Sequence, residues 1–364
     1  VAHKTIELLQ KERDRPFFIF ASWVGPHPPY YVPQSYLDRY RDRPLPPPAL
    51  AGSSRQCPPS PENPEPGSLR MTRLREAYCA AITLIDTHIG RILDELETRG
   101  LLDNTLIVFM TDHGEMLGDR GCYQKMAPYD RAARIPTIVA GKGLKAGTRV
   151  DCPVTTWDVS ATLLDAAGVT VPDNPPLVGS SLLGAATRDP GRVIVFHNAR
   201  GRGRYVAAVG RGHKFIHWFN GGDEELYDLA ADPHELENLV DAPDRKRVAE
   251  TLRAACLAFE RDHGIAGNVR DNHFVDVPYQ PPAEHGMSRY PKWSSFQFPP
   301  WTAGTSDEDL ARIADEMRDC LNTETAYICR EPEWRKQALE KWQEIGGDPA
   351  VYRELFDAAD RRAE

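Results

Sequence analysis

The stretch that decides the fold is Thr105-Leu-Ile-Val-Phe-Met-Thr-Asp-His-Gly-Glu115. Residues 105–111 form an almost continuous apolar run without polar alternation, which predicts a strand buried on both faces, as in a parallel sheet. An acid and an imidazole follow at once, at Asp112 and His113. Because ligands gather at the carboxyl ends of strands in doubly wound sheets, this turn is a candidate functional site.

The segments around this stretch repeat an alternation of buried strand and amphipathic helix. Apolar runs predict the strands, and apolar positions at helical spacing predict helices with one buried face. The expected strands lie at residues 16–22 and 135–140, and the expected helices at 73–99, 129–134 and 157–167. Elements in this order predict an α/β fold built on a doubly wound, mostly parallel sheet.

The pattern changes after about residue 190. Short runs joined by Gly-rich turns predict a small antiparallel sheet, with strands at 193–197, 205–209, 213–219 and 224–229. A helix is expected at 244–263, irregular chain at 270–302, and a tail of two or three helices at 306–363. We therefore divide the chain into a partial α/β domain (1–190), a sheet-plus-helix subdomain (191–265) and an irregular and helical extension (266–364).

Composition excludes several classes of protein. The formal net charge of −9 argues against a general nucleic-acid binder. No apolar run approaches the roughly 18 residues that a membrane span needs. The seven cysteines are odd in number and include no C-x-x-C pair, so neither a disulfide framework nor a zinc knuckle is indicated. A reducing compartment, the cytoplasm, is favoured.

Asp112 and His113 offer one hard oxygen and one borderline nitrogen to a divalent cation. Gly114 permits a tight turn that lets both side chains face one pocket. The alternative is that Asp112 is a helix N-cap beside a bystander histidine.

Two further segments contain candidate functional residues. Lys125 follows the Gly-rich loop 118–121, and a lysine near a metal could hold a tetrahedral oxyanion as a compact charge. Its alternative is a solvated surface lysine. His27 lies between prolines that stiffen the backbone, which suits proton donation to a leaving group. Its alternative is a structural turn histidine.

Several motifs, taken in order, resemble the sulfatase family of the alkaline phosphatase superfamily. They include Pro26-His-Pro-Pro29, Thr111-Asp-His-Gly-Glu-Met-Leu-Gly118 and Glu225-Leu-Tyr-Asp-Leu-Ala-Ala-Asp-Pro-His-Glu-Leu-Glu-Asn-Leu239. The resemblance spans about residues 5–260. The Asp-His form and Lys125-Met126 are closer to choline-sulfatase and phosphonate monoester hydrolase members. The fold that it implies is alkaline phosphatase-like.

The resemblance implies a role for each candidate residue. Asp112 and His113 would be two ligands of a divalent metal, expected to be Ca²⁺, with Mn²⁺ or Zn²⁺ as alternatives. Lys125 and His27 would contact the sulfate or phosphate group of the substrate, and His27 would help the leaving alcohol depart. The substrate would be a small sulfate ester, or alternatively a phosphodiester or phosphonate monoester. A formylglycine hydrate would attack the sulfur.

Family features expected upstream of His27 are not found in the 26 residues that precede it. These are the C/S-x-P-x-R motif, whose cysteine or serine matures to formylglycine, and a pair of aspartates that completes the metal site. We expect them before Val1, in a missing first-strand region, and expect the truncated chain alone to be inactive. A catalytically inactive remnant of the fold is the alternative. Cys57-Pro-Pro-Ser-Pro61 imitates the motif, but Pro61 replaces its arginine.

The C-terminal extension is rich in large apolar side chains. Four tryptophans lie there: Trp293, Trp301, Trp334 and Trp342. We expect the tail to pack across the pocket or onto a second subunit, giving a homo-oligomer. The alternative is that its helices pack on their own domain.

Overall fold

The computed structural model describes residues 1–28, 30, 32–41, 43–50, 55–56, 66–141, 144–170, 179–184, 189–199, 203–281, 307, 311, 314, 332–344 and 346–361. The chain forms two compact units. Unit 1 comprises Val1–Pro47, Pro64–Arg99 and Met287–Glu364, and unit 2 comprises Pro48–Asn63 and Gly100–Gly286. No helix of the described residues is both long and apolar enough to cross a bilayer.

Unit 1 is helical in its described part. Its elements are α1 (Ala2–Leu9), α2 (Gln34–Leu37), α3 (Leu69–Thr98), α7 (Pro332–Glu344) and α8 (Pro349–Arg361). The long helix predicted at 73–99 is confirmed as α3, which begins where the Ser68 hydroxyl accepts the Met71 N–H at 3.2 Å. Helices α1 and α2 pack against α3, which buries Leu74, Ala77 and Ala81 at helical spacing.

The described part of the tail forms a pair of helices, as predicted. The buried Trp342 of α7 donates its indole N–H to the Asp348 carbonyl at 2.7 Å, and the Tyr352 hydroxyl of α8 donates to the Arg335 carbonyl at 2.5 Å. Trp293 and Trp301 lie outside the described residues, as does the side chain of Trp334. Packing of this tail onto a second subunit stays a prediction.

The strand predicted at residues 16–22 was wrong. This segment contains no regular secondary structure, and Phe18 and Phe20 are 72% and 81% exposed. A strand requires a neighbouring strand to pair its backbone groups, and the described part of unit 1 contains none. The apolar run alone therefore predicted burial that the structure does not show.

The first sheet of unit 2 corrects the predicted parallel arrangement. Strand β1 (Ile107–Met110) pairs with β2 (Thr137–Ala140) in antiparallel register, so that Phe109 lies opposite Ile138. These two side chains are 36% and 60% exposed, so neither strand is buried on both faces. An apolar run has no intrinsic direction, and the connection between the strands decides their orientation. The short helix α4 (Asp130–Ala133) and α5 (Thr156–Ala166) confirm the two predicted helices.

The second sheet confirms the predicted antiparallel region. Its strands, β3 (Ile194–Asn198), β4 (Tyr205–Gly210), β5 (His213–Trp218) and β6 (Asp223–Asp228), follow one another in chain order. Arg211 and Gly212 connect β4 to β5, and both have positive φ, the turn whose twist matches that of the flanking strands. Helix α6 (Lys246–His263) follows where it was predicted, and a short hairpin, β7 (Val269–Arg270) and β8 (His273–Phe274), completes unit 2.

The β3–β6 sheet buries both of its faces. Alternate side chains pack against α6, including Val206, Phe215 and Leu226. The other set packs against the segment 116–132, and this set includes Tyr205, Ala207, Ile216, Trp218 and Tyr227. Because side chains alternate along a strand, the same four strands serve two cores. The mixed α/β architecture is thus confirmed, with antiparallel pairing among the described strands.

Candidate functional site

The candidate site begins at the turn after β1. The Thr111 hydroxyl donates to the His113 carbonyl at 3.1 Å, and the His113 backbone N–H donates to Asp112 Oδ1 at 3.0 Å. The Asp112 side chain is 84% exposed and that of His113 is 27% exposed. No helix starts after Asp112, since the next one, a short 3₁₀ turn, begins at Asp119. The N-cap interpretation of Asp112 is therefore wrong.

One hydrogen bond defines the protonation of the neutral His113 ring. Its Nδ1 lies 2.8 Å from the Gly114 carbonyl oxygen, which can only accept, so Nδ1 carries the proton. The Nε2 atom then holds the lone pair that a metal requires. This contact between a ring N–H and a carbonyl is the usual way in which a ligating histidine is oriented.

The two donor atoms are spaced as ligands of one cation. His113 Nε2 lies 3.6 Å from Asp112 Oδ2. Two ligand atoms that lie about 2.3 Å from a cation and about 100° apart are separated by about 3.5 Å. The pair therefore fits a divalent cation, although the described residues contain no cluster of three or more acidic, imidazole or thiol groups around a common point.

Gly114 allows the turn to approach helix α4. Its N–H donates to the Ala132 carbonyl at 2.7 Å, and a Cβ at this position would lie 2.0 Å from the Arg131 carbonyl oxygen. Any side chain larger than hydrogen would push the turn away from α4.

Glu115 connects this turn to the loop that carries Lys125. Its half-buried carboxylate accepts the Leu117 N–H at 3.2 Å and the Gln124 N–H. Burial raises the pKa of Glu115 to about 7, although both N–H groups and the nearby Lys125 ammonium lower it. Lys125, partly buried, is thus brought beside the residues that follow His113. Sequence pattern alone assigned no role to Glu115, although this residue directly follows Asp112-His113-Gly114.

The loop between Glu115 and Lys125 is held in an unusual backbone conformation. Leu117, Arg120 and Gln124 all have positive φ, as do Gly118 and Gly121. Two backbone hydrogen bonds of 2.9 Å close the loop, from Met116 to Gln124 and from Gly118 to Cys122. Left-handed conformations of non-glycine residues persist only where the surroundings determine them.

His27 lies in unit 1. It follows the cis peptide bond between Gly25 and Pro26, and its N–H donates to the Val24 carbonyl at 3.0 Å. Its Nδ1 lies 2.6 Å from the Pro28 carbonyl, so the neutral ring has its lone pair on Nε2, as in His113. Asp112, His113 and Lys125 all lie in unit 2, where Glu115 links the Asp112–His113 turn to the loop that carries Lys125, and His27 lies in unit 1. The Cys57–Pro61 stretch lies outside the described residues.

Comparisons with known proteins match most of the chain. The sulfatase family model matches residues 1–169, and the model of the C-terminal part of N-sulphoglucosamine sulphohydrolase matches residues 118–262. An arylsulfatase of Clostridium perfringens is 31% identical over 271 residues, which are 70% of this chain and 55% of the relative. A choline-sulfatase of Rhizobium meliloti is 31% identical over 262 residues, 67% of this chain and 51% of the relative. The chain spans about half the length of these curated relatives.

Solved structures agree with this assignment. The phosphonate monoester hydrolase of Agrobacterium radiobacter is 26% identical, with a TM-score of 0.59 over 72% of this chain and 60% of that one. The enzyme of the same name from Silicibacter pomeroyi is 26% identical, with a TM-score of 0.57 over 66% of this chain and 56% of that one. The two family models, which together match residues 1–262, show that the chain belongs to the sulfatase family.

Proposed function

We propose that the protein, together with the formylglycine nucleophile that the family resemblance implies, hydrolyses small sulfate esters in a reaction that depends on a divalent metal. The observation that carries this proposal is the 3.6 Å separation of Asp112 Oδ2 and His113 Nε2 at the carboxyl end of β1. Arylsulfatase and choline-sulfatase, which share 31% identity with the chain, support the sulfate ester as substrate.

Asp112 and His113 would hold the metal. Bound there, the metal would act as a Lewis acid toward the oxyanion of the substrate. Ca²⁺ is the proposed cation because the exposed Asp112 carboxylate is a hard oxygen ligand, and Mn²⁺ or Zn²⁺ would suit the imidazole of His113.

The remaining candidate residues would act on the transferred group. The Lys125 ammonium would lie against an oxyanion and stabilise its charge. His27 would accept a proton on Nε2, the atom left unprotonated by its hydrogen bond to Pro28, and pass it to the departing alcohol oxygen. Both residues thus act through charge or a proton and form no covalent bond.

A phosphonate monoester hydrolase is the second candidate. Two solved enzymes of that name align with TM-scores of 0.57 and 0.59 at 26% identity. Sulfate and phosphonate monoesters both present tetrahedral oxyanions, so the same donors could bind either.

Parallel assays separate the two candidates. We would compare 4-nitrophenyl sulfate with 4-nitrophenyl phenylphosphonate, which share one leaving group, with and without EDTA. The sulfate ester should give the higher kcat/KM, and both EDTA and Asp112→Asn should lower it about 100-fold or more, equivalent to about 3 kcal/mol of transition-state stabilisation. Asp151→Asn is the matched control, since Asp151 is 86% exposed and pairs with Arg149.

Each other outcome has a definite meaning. A higher kcat/KM for the phosphonate would replace the first candidate with the second. Hydrolysis that survives EDTA and Asp112→Asn would contradict the metal site. No hydrolysis of either ester by a protein that carries the formylglycine would contradict the proposed activity.

A further inference from the structure

The face of the β3–β6 sheet that packs against residues 116–132 carries two buried charges. Lys214 of β5 is 0% exposed and Glu225 of β6 is 6% exposed. Burying a charge is costly unless it is paired and hydrogen-bonded, so each of these groups requires specific partners. Some of these partners, Pro128, Tyr129 and Asp130, lie in the segment that follows Lys125.

Lys214 binds the chain just after Lys125. Its ammonium donates to the Pro128 carbonyl at 3.1 Å and also bonds the Asp130 carboxylate. It lies 2.8 Å from Glu235 Oε1, and Glu235 Oε2 in turn accepts the Asp130 N–H at 2.6 Å. One buried lysine therefore ties two points of this segment to the sheet.

Glu225 binds the same segment through a tyrosine. Its carboxylate accepts the Trp218 indole N–H at 3.0 Å, the Tyr227 hydroxyl at 2.9 Å and the Tyr129 hydroxyl at 3.1 Å. Each oxygen accepts at least one bond from a neutral donor, so the ionised carboxylate is satisfied. Tyr129 lies four positions after Lys125 in the chain.

Arg120 holds the chain before Lys125. Its guanidinium lies 4.1 Å from the Tyr129 ring centroid and donates to the Glu235 carbonyl. Because Arg120 has positive φ, its backbone conformation depends on these contacts. The residues on both sides of Lys125 are therefore held in place by the β3–β6 sheet and by Glu235.

We propose that Lys214 and Glu225 are positioning residues, which hold the segment Met116–Tyr129 so that Lys125 stays beside the Asp112–His113 turn. The role of Lys125 rests on the proposed function. The new element is that the β3–β6 sheet holds the Lys125 loop in position. The opposite face of the same sheet, packed on α6, has no part in this.

Two variants and one control test the positioning. In Glu225→Gln one acceptor oxygen becomes an NH₂ group that faces hydroxyl or indole donors, and Lys214→Met removes the bonds to Pro128 and Asp130. Leu226→Ala is the control, since Leu226 neighbours Glu225 but packs toward α6 and is fully buried. Hydrogen exchange uses the full chain, the hydrolysis assays use a protein that also carries the formylglycine nucleophile, and variants are compared at a temperature where all are folded.

Hydrogen exchange gives a readout that does not require catalysis. In Glu225→Gln and Lys214→Met, the amides of Gly118, Gly121 and Gln124 should exchange about tenfold faster or more, while those of the β4–β5 ladder change little. Leu226→Ala should not accelerate the loop amides selectively. Unchanged loop exchange in both variants would overturn the proposal.

Hydrolysis of 4-nitrophenyl sulfate tests whether the position of the loop affects the reaction. The two variants should lower kcat/KM about tenfold or more relative to Leu226→Ala at equal folded fraction. If the loop loosens but kcat/KM is unchanged, the positioning role is refuted. If the loop loosens and the unsubstituted protein, with its formylglycine in place, hydrolyses no ester, the proposed function fails while the structural dependence of the loop on the β3–β6 sheet is confirmed.

Discussion

Gly114 is the residue on which the geometry of the Asp112–His113 turn depends. Its N–H bonds the Ala132 carbonyl at 2.7 Å, which places the Asp112–His113 turn against α4. The tautomer of His113 depends on the same residue, because the Gly114 carbonyl accepts the Nδ1 proton. A single residue thus determines both where the turn lies and which ring nitrogen can bind a cation.

We expect Gly114→Ala to destabilise the protein by about 2 kcal/mol, because the new methyl group would lie 2.0 Å from the Arg131 carbonyl oxygen. Gly90→Ala on α3 is the matched control. Its methyl group meets nothing within 4 Å, so the higher helix propensity of alanine should stabilise by about 1 kcal/mol. Urea denaturation followed by circular dichroism measures both, and the same sign for the two variants would contradict the close approach.

Helix α5 shows how one carboxylate holds the end of an element. Asp158, which is fully buried, accepts the Thr155 N–H at 2.7 Å, the Ser180 N–H at 2.8 Å and an Arg192 N–H at 2.7 Å. Burial raises the pKa of Asp158, but the bonds from Arg192, Ser180 and Thr155 outweigh it and hold the pKa below its ordinary value. The helix start and the loop before β3 are therefore joined at one group.

We expect Asp158→Asn to lower the free energy of unfolding by about 3 kcal/mol near neutral pH, since an amide cannot accept at both positions. Because the folded-state pKa is depressed, the stabilisation by Asp158 is present above its ordinary pKa of 3.8 and is lost as pH falls below it. The difference between the two proteins should thus shrink in acid, as measured by denaturation across pH. The exposed Asp241→Asn is the control, and a difference that grew in acid would contradict this account.

Sequence pattern predicted the elements better than their partners. The β3–β6 strands and α6 were predicted because turn residues and local periodicity specify a meander directly. The run at 16–22 and the pairing of β1 with β2 were predicted wrongly, because an apolar run specifies neither a neighbour nor a direction. Element type is a local property, and pairing is not.

At the scale of the whole molecule, a bound metal should raise the stability of the folded protein. A cation that binds only the folded chain stabilises it by about 2.7 kcal/mol at a concentration about 100 times its Kd. Mn²⁺ or Ca²⁺ should therefore raise the melting temperature of the protein and of Asp151→Asn. Asp112→Asn and His113→Ala should lose this response. An equal increase in all four proteins would place the binding elsewhere.

Prediction of the candidate site was limited in the same way: local features of the sequence identified its residues, but contacts between distant residues determine where they lie. Asp112, His113, Lys125 and His27 could be selected from sequence because their chemistry and motif spacing are local features. Glu115 links the Asp112–His113 turn to the loop that carries Lys125, whereas the convergence of all four side chains on one substrate stays a prediction. The buried contacts of Lys214 with Pro128 and Asp130, and of Glu225 with Tyr129, have no signal in the sequence pattern, since both residues occupy ordinary strand positions.

The sequence by itself determined the family, the helices α3 and α6, the four-stranded meander and the choice of Asp112 and His113 as the candidate metal ligands. These follow from periodicity, turn residues and motif order, which are set by neighbours in the chain. Only the tertiary structure decided the antiparallel pairing of β1 with β2, the tautomer of His113 and the charges that hold the Lys125 loop. Each of these depends on which backbone and side-chain groups meet after folding, because an apolar run, a histidine or a buried lysine acquires its role only from its partners.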